Sequence, residues 1–219
     1  MAQFKLAVFD LAGTTVMDNN TVGKCLQDAL LKVGVEATIQ DVNAVMGIRK
    51  PIAIQKLLDQ YGVAGDVDAI DQDFRNRMIQ TYRESSDVQE IPGTTNTFRV
   101  LNEMGIAVAV DTGFDRETTD VLLEKMMWGD LVSDSITSDE VANGRPSADM
   151  ILELCRRANV TPDQTIKIGD TPADIQEGAA ARVGLNVGVI YGTHTEEELQ
   201  KYGPDALLTE IGDLLRLDI

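Results

Sequence analysis

Two acidic residues stand at the carboxyl ends of short apolar runs, and that placement restricts the fold more than any other feature of the chain. Leu6-Ala7-Val8-Phe9 leads straight into Asp10, and Thr165 to Ile168 leads into Gly169-Asp170. Two further runs, Ile106 to Val110 ahead of Asp111-Thr112-Gly113 and Val187 to Ile190, share the same character. Short apolar runs of this kind mark strands buried on both faces, the condition of a parallel sheet. Helical spacing over Thr94–Met104, Arg116–Met126, Ser147–Ala158 and Pro172–Ala181 separates the later strands. The alternation predicts an α/β fold with a doubly wound, Rossmann-like parallel sheet. Ligands of such sheets sit beyond the carboxyl ends of the strands, where the polar clusters fall.

Residues 16–92 break the alternation. Thr21–Val33, Asp41–Met46, Pro51–Tyr61 and Val67–Arg83 carry helical spacing and few strand signals. Met17-Asp18-Asn19-Asn20 and Glu90-Ile91-Pro92-Gly93 flank the segment as hinges. We read residues 16–92 as an inserted α-helical cap domain, with 1–15 and 93–219 forming the core domain. The alternative is simply more helices in one domain.

Composition narrows the partners. Nineteen basic residues against 36 acidic ones give a formal net charge of −17. A surface of that sign repels nucleic-acid phosphates and anionic lipid, so neither nucleic acid nor membrane is an expected partner. A small anionic substrate stays compatible, because a metal and a few local cations reverse the field inside a cleft. The single histidine, His194, excludes a multi-histidine zinc site. It reads as a surface residue, or as one lining the cleft mouth. Cys25 and Cys155 fit no metal spacing and read as small buried hydrophobes in a reducing compartment. The opening MAQFKLAVFDLAG has no signal-peptide pattern, and no run approaches a transmembrane helix, so a cytoplasmic location is expected.

Phe9-Asp10-Leu11-Ala12-Gly13-Thr14-Thr15 places an acid at a buried strand end, which is costly unless the acid meets a cation. The glycine and two threonines after it suit a tight loop of amides and hydroxyls facing an anion. Gly169-Asp170-Thr171-Pro172-Ala173-Asp174 repeats the pattern. Asp10 and Asp170 together offer hard oxygen ligands for Mg2+. Thr112 can donate its hydroxyl to phosphate, and Arg145, in Gly144-Arg145-Pro146, suits either a phosphoryl oxygen or a carboxylate.

In this order the motifs resemble those of the haloacid dehalogenase-like hydrolases. Phe9 to Thr15 is similar to the nucleophile motif, Thr112-Gly113 to the second motif and Gly169 to Asp174 to the acidic fourth, while Arg145 takes the position of a third-motif cation that is usually lysine. The resemblance implies Asp10 as a nucleophile forming an aspartyl-phosphate. It implies magnesium held by Asp10, the Ala12 carbonyl and Asp170, with Asp174 nearby. Thr112 and Arg145 would then steady the phosphoryl oxygens and the nucleophile, with Gly13, Thr14 and Gly113 at the substrate.

Phosphatases of that superfamily carry a second Asp two residues after the nucleophile, as acid and base for the leaving alcohol. Ala12 stands there and can do neither. The Asp-x-Ala-Gly-Thr-Thr form resembles the phosphonatase branch, which cleaves a carbon–phosphorus bond through a Schiff base on a cap lysine. Met46-Gly47, followed three residues later by Lys50, is similar to that branch's cap motif. Pro51 suits a helix's first turn, which sets Lys50 at the positive end, and Arg49 beside it would lower the lysine pKa. Alternatively Arg49 and Lys50 only grip an anionic substrate. The branch has a histidine three residues after the lysine, where this chain has Ala53, and the chain is short for the branch.

The expected function is therefore phosphonatase-like, acting on phosphonoacetaldehyde or a related small phosphonate. A phosphatase of a small phosphorylated acid such as phosphoglycolate is the alternative enzyme, and a regulatory module binding a phosphorylated metabolite is the non-enzymatic one. A mutase fits less well, because phosphoryl return calls on the acid that Ala12 replaces. Analogy with the family suggests a homodimer through the cap.

Overall fold

Strand register decides where the acids go. The structure is a computed structural model that describes residues 3–219; Met1 and Ala2, the first two residues of the expected core, lie outside the described residues. Among the described residues, β1 (Leu6–Phe9), β2 (Ala107–Thr112), β3 (Asp134–Thr137), β4 (Thr165–Gly169), β5 (Leu185–Val189) and β6 (Ala206–Leu208) form one sheet in the order β3-β2-β1-β4-β5-β6. Every pairing is parallel. Phe9 stands opposite both Val110 and Ile168, so Asp10, Asp111 and Gly169-Asp170 emerge side by side at one edge. The order reverses at β1, where a doubly wound sheet opens its ligand crevice. This is the α/β sheet that the sequence predicts.

Helices α1 (Thr21–Leu31), α2 (Ile39–Asn43), α3 (Lys50–Tyr61) and α4 (Val67–Glu84) all lie between β1 and α5 (Thr94–Glu103). The remaining helices, α6 (Arg116–Met126), α7 (Asp149–Ala158), α8 (Pro172–Ala181) and α9 (Glu196–Gln200), follow successive strands. Helix α1 packs on α4 and α2, α3 packs on α4, and α4 also meets α6. The segments entering and leaving the four-helix insertion are bonded to each other. Val16 bridges Glu90 in antiparallel sense, the Met17 amide donates to Gln89 O at 2.9 Å, and the Ile91 amide donates to Thr15 O at 2.8 Å. Among the described residues no helix is long and apolar enough to cross a membrane.

Alternation along β1 divides the core. Ala7 and Phe9 join the large cluster with Phe98, Trp128, Val110 and Ile168, whereas Leu6 and Val8 join a second cluster with Met150, Ile151 and Leu154 of α7. All four β1 residues are buried, as a central parallel strand requires. Both cysteines are buried and unpaired.

The expected helix Asp41–Met46 is displaced. Thr38 caps α2 through a reciprocal pair with Asp41, which starts the helix at Ile39, and the helix ends at Asn43. Val45, Met46 and Gly47 turn instead, with Gly47 at φ +77°. Helix α7 likewise starts at Asp149 rather than Ser147. Strands β3 and β6 lie at the sheet edges and carry weak signals: Asp134-Ser135-Ile136-Thr137 has one large apolar residue, and the apolar β6 is only three residues long.

Phe98 is fully buried between Phe9, in tilted contact at 4.9 Å centroid to centroid, and Trp128, in edge contact at 5.1 Å. It fastens α5 to β1. Phe98→Ala should lower the unfolding free energy by about 3–5 kcal/mol, read as a shift of the urea midpoint with the slope unchanged.

Candidate active site

Three backbone amides, those of Thr14, Thr15 and Val16, converge on Leu11 O at 3.3, 2.9 and 2.9 Å and curl the loop after β1 back on itself. Gly13 sits at φ +94° in that loop, and a β-carbon there would collide with the Asp170 carboxylate. The Thr15 hydroxyl donates to Asp10 O at 2.9 Å and the Thr14 hydroxyl to Asp170 Oδ1 at 3.2 Å. On the opposite strand end, Thr171 and Asp174 cap α8 reciprocally, with the Thr171 hydroxyl 2.6 Å from Asp174 Oδ2.

Arg145 lies beneath these acids with its side chain wholly buried. Its Nη1 is 2.6 Å from Asp10 Oδ1 and 3.0 Å from Asp174 Oδ1; its Nε donates to Glu177 at 2.9 Å; its Nη2 pairs with the Asp111 carboxylate and donates to the Asp111 carbonyl at 2.8 Å. Lys167, also wholly buried, pairs with Asp111 and stands 3.1 Å from Asp174 and 3.3 Å from Glu177. Burial, followed by the charge of Asp111, pushes Glu177 well above the usual carboxylate range, against the pull of Lys167 and Arg145. Arg145 and Lys167 hold Asp111 below its usual range against burial. Asp111, Asp174 and Glu177 hold Lys167 above its own range, against burial and against Arg145.

Asp10, Asp170 and Asp174 bring carboxylate oxygens within 4.8 Å of one another. Burial raises Asp10 to about 6 despite Arg145, and burial together with the charges of Asp10 and Asp174 raises Asp170 to about 8. Asp170 accepts from Thr14 and, at 2.7 Å, from the Thr193 amide, but meets no side-chain cation among the described residues. Hard oxygen donors with uncompensated negative charge fit a divalent cation between Asp10 and Asp170. Asp174 is already engaged by Arg145, Lys167 and its helix cap, so it stands behind the other two. A second trio, Asp111, Asp174 and Glu177, is satisfied by the two buried cations.

Above the acids is a small cavity of about 30 Å³, lined by Asp10, Ala12, Asp18, Met46, Lys50, Thr112, Gly113 and Phe114 among others. Lys50 is the first residue of α3 and buried. Its Nζ lies 5.5 Å from the Phe114 ring centre and 5.9 Å from that of Phe74, and its one hydrogen bond, to Ile48 O, is long at 3.5 Å. Burial lowers the amine to about 8, with Arg145 acting the same way and Asp10, Asp18 and Asp71 opposing. Gly113 lets the insertion approach closely, since a β-carbon there would meet the Gly47 and Ile48 carbonyl oxygens at 2.9 Å.

The cavity thus gathers Asp10, Ala12, Met46, Lys50, Thr112 and Gly113. Three expected substrate residues lie elsewhere. Arg49 lines a recess on the other side of Lys50 with Asp71, Arg75 and Asp115, and burial rather than Arg49 lowers the lysine. Gly13 faces a separate recess with Tyr191 and Thr193. Thr14 is buried, its hydroxyl spent on Asp170. His194 is partly buried in another recess, beside Asn43 and Lys56. Asp18, Asp111, Lys167 and Glu177 were not anticipated. A lysine inside a buried strand is itself a signal of a buried acid, and Glu177 follows Asp174 by three residues on one face of α8.

The family model for haloacid dehalogenase-like hydrolases matches residues 7–189. A phosphonoacetaldehyde hydrolase of Bacteroides fragilis is 37% identical over 139 residues, covering 61% of this chain; the match spans 52% of that protein, about half its length. A phosphoglycolate phosphatase of Pseudomonas putida is 26% identical over 214 residues, covering 96% of this chain and 78% of that one. Among solved structures, a hydrolase from Pseudomonas syringae superposes with a TM-score of 0.87 at 17% identity, covering 97% of this chain and 96% of the other. A phosphonoacetaldehyde hydrolase-like protein from Oleispira antarctica reaches 0.85 at 21% identity, covering 97% and 90%. With the acid-bearing strand ends, the buried arginine and a match over most of its length, the chain belongs to the haloacid dehalogenase-like hydrolase family.

Proposed function

We propose that the chain is a magnesium-dependent hydrolase of phosphonoacetaldehyde or a related small phosphonate, working through an aspartyl-phosphate on Asp10 and an imine on Lys50. One observation carries the reading: the Asp10 carboxylate and the buried Lys50 amine line a single cavity, with Ala12 in place of an acid. Relatives named phosphonoacetaldehyde hydrolase support it. In this reading residues 16–92 are a cap carrying Lys50, and 1–15 with 93–219 are the core carrying Asp10.

Magnesium held by Asp10, the Ala12 carbonyl and Asp170, with Asp174 behind them, supplies the positive charge that lets a carboxylate approach an anionic phosphoryl group. The unprotonated Lys50 amine adds to the aldehyde carbon and loses water to form the imine. Asp10 attacks phosphorus, and the carbon–phosphorus bond breaks with its electron pair passing into the iminium, leaving an enamine. That leaving group needs no proton on oxygen, which is why Ala12 suffices. Water then frees phosphate from Asp10, the enamine carbon gains a proton, and hydrolysis of the imine returns acetaldehyde and Lys50. Thr112 holds a phosphoryl oxygen, and Arg145 aims Asp10 through their 2.6 Å contact.

A second reading, a phosphatase of a small phosphorylated acid, is favoured by the Pseudomonas putida phosphoglycolate phosphatase, which matches over 96% of the chain. Ala53, wholly buried where the phosphonatase branch has a histidine, points the same way.

Asp10→Asn should reduce phosphate release at least about a thousandfold while leaving the melting temperature near that of the wild type. Retention of wild-type rate would remove Asp10 from the mechanism. Borohydride added with phosphonoacetaldehyde should fix a covalent adduct on Lys50, seen by mass spectrometry, and Lys50→Arg should lose both the adduct and carbon–phosphorus cleavage. Since Lys50 loses its proton at about 8, that cleavage should rise with pH through about 8 and level off above it. Phosphate released from esters alone, with Lys50 unmodified, would establish the phosphatase instead.

A further inference from the structure

The imine chemistry just proposed moves protons at Lys50, and its usual carriers are missing: Ala12 cannot exchange one, and Ala53 is a buried methyl. His194 lines a different recess from the one holding Lys50. Asp71 and Asp115 line a recess on the far side of Lys50 and not this cavity; Asp71 pairs with Arg75 at 2.6 Å through one oxygen and leaves the other without a partner among the described residues, and Asp115 caps α6. Of the carboxylates and amines lining the cavity, this leaves one beyond Asp10 and Lys50, which is Asp18.

We infer that Asp18 is the catalytic acid–base of the Lys50 imine, giving a proton to the departing carbinolamine hydroxyl and taking one from the water that later hydrolyses the imine. The inference rests on the imine reading. Asp18 sits on the segment that enters the insertion, before α1, and its Oδ1 accepts the Val22 amide at 2.9 Å, which leaves Oδ2 for proton exchange. Burial raises its carboxyl above the usual range, against the pull of the Val22 amide, Lys50 and Lys24. The charges of Asp18 and Lys50 act on each other across the cavity, each favouring the ionised form of its partner.

The step balances. The Lys50 carbinolamine loses hydroxide, the Asp18 carboxyl supplies the proton that makes it water, and the products are an iminium cation and the Asp18 carboxylate. After carbon–phosphorus cleavage and protonation of the enamine carbon, that carboxylate removes a proton from water as the oxygen adds to the iminium. Asp18 ends protonated, as it began.

Asp18→Asn keeps an oxygen for the Val22 amide but cannot exchange a proton, so a structural role survives it. With phosphonoacetaldehyde and magnesium, kcat should fall about a hundredfold or more, with KM and the magnesium titration midpoint within about threefold of wild type. Borohydride capture at Lys50 should slow by the same factor as kcat, and Asp18→Glu should restore part of both. Capture in Asp18→Asn at the wild-type rate would overturn the assignment. So would a loss of capture accompanied by a shifted magnesium titration and an equally poor Asp18→Glu, which marks damage to the fold of the site. If the wild-type enzyme itself captures no aldehyde, the imine reading fails, and the role of Asp18 falls with it.

Discussion

Arg145 is the residue on which the strand ends depend. Its guanidinium reaches Asp10 after β1, Asp111 at β2, and Asp174 and Glu177 on α8, so one planar cation ties three elements that are distant in sequence. The forked, always-charged guanidinium serves four acids from a wholly buried position, and the single nitrogen of Lys167 serves three of them. Desolvating so many charges is expensive, and the cluster is held by two buried cations shared among its acids, while one oxygen each of Asp111 and Glu177 has no hydrogen-bond partner among the described residues. Lys167 shares the load from below the sheet, which frees Arg145 to keep one nitrogen on Asp10.

That division of charge has a chemical effect. The acids beneath the sheet edge are neutralised by the protein, whereas Asp170, at the edge itself, is not. The one carboxylate left uncompensated beside Asp10 is therefore where a hard cation would fit. Lys50 faces the same crevice from α3 with a lowered affinity for its proton, since burial opposes its charge more strongly than the nearby acids support it. Asp10, Asp170 and Lys50 lie along one gradient of compensation, satisfied deep in the fold and unsatisfied at its mouth.

Much of this was legible in the residues. Asp10 and Asp170 announced themselves as acids ending apolar runs, and Lys50 as the cation ahead of Pro51. The strands that escaped, β3 and β6, lie at the edges, where half a strand faces solvent and no apolar run is needed. The charge network escaped for another reason. Lys167 interrupts Thr165-Ile166-Ile168 without any local partner, and its partners come from β2 and α8, a pairing that only the sheet order creates. Arg49 and Thr14 do not line the cavity shared by Asp10 and Lys50, because adjacency in sequence says nothing about which side of a neighbour a side chain takes. Helix α2 ended early because Thr38 and Asp41, not hydrophobic spacing, fixed where it starts.

The bonded pair of segments at Val16 and Glu90 bears on how anything enters a cavity of about 30 Å³. Two independent tethers would let the helical insertion slide, twist and lift in any combination. Joined to each other on both sides of the bridge, they behave as the pin of a door, and the easy motion left is a swing. The pin is continuous with the Gly13–Val16 turn, so its anchored side is the loop that shapes Asp10. A swing about it would carry Lys50 along an arc while Asp10 stays on the anchored side, so each return would bring the amine back to the same bearing on the Asp10 carboxylate.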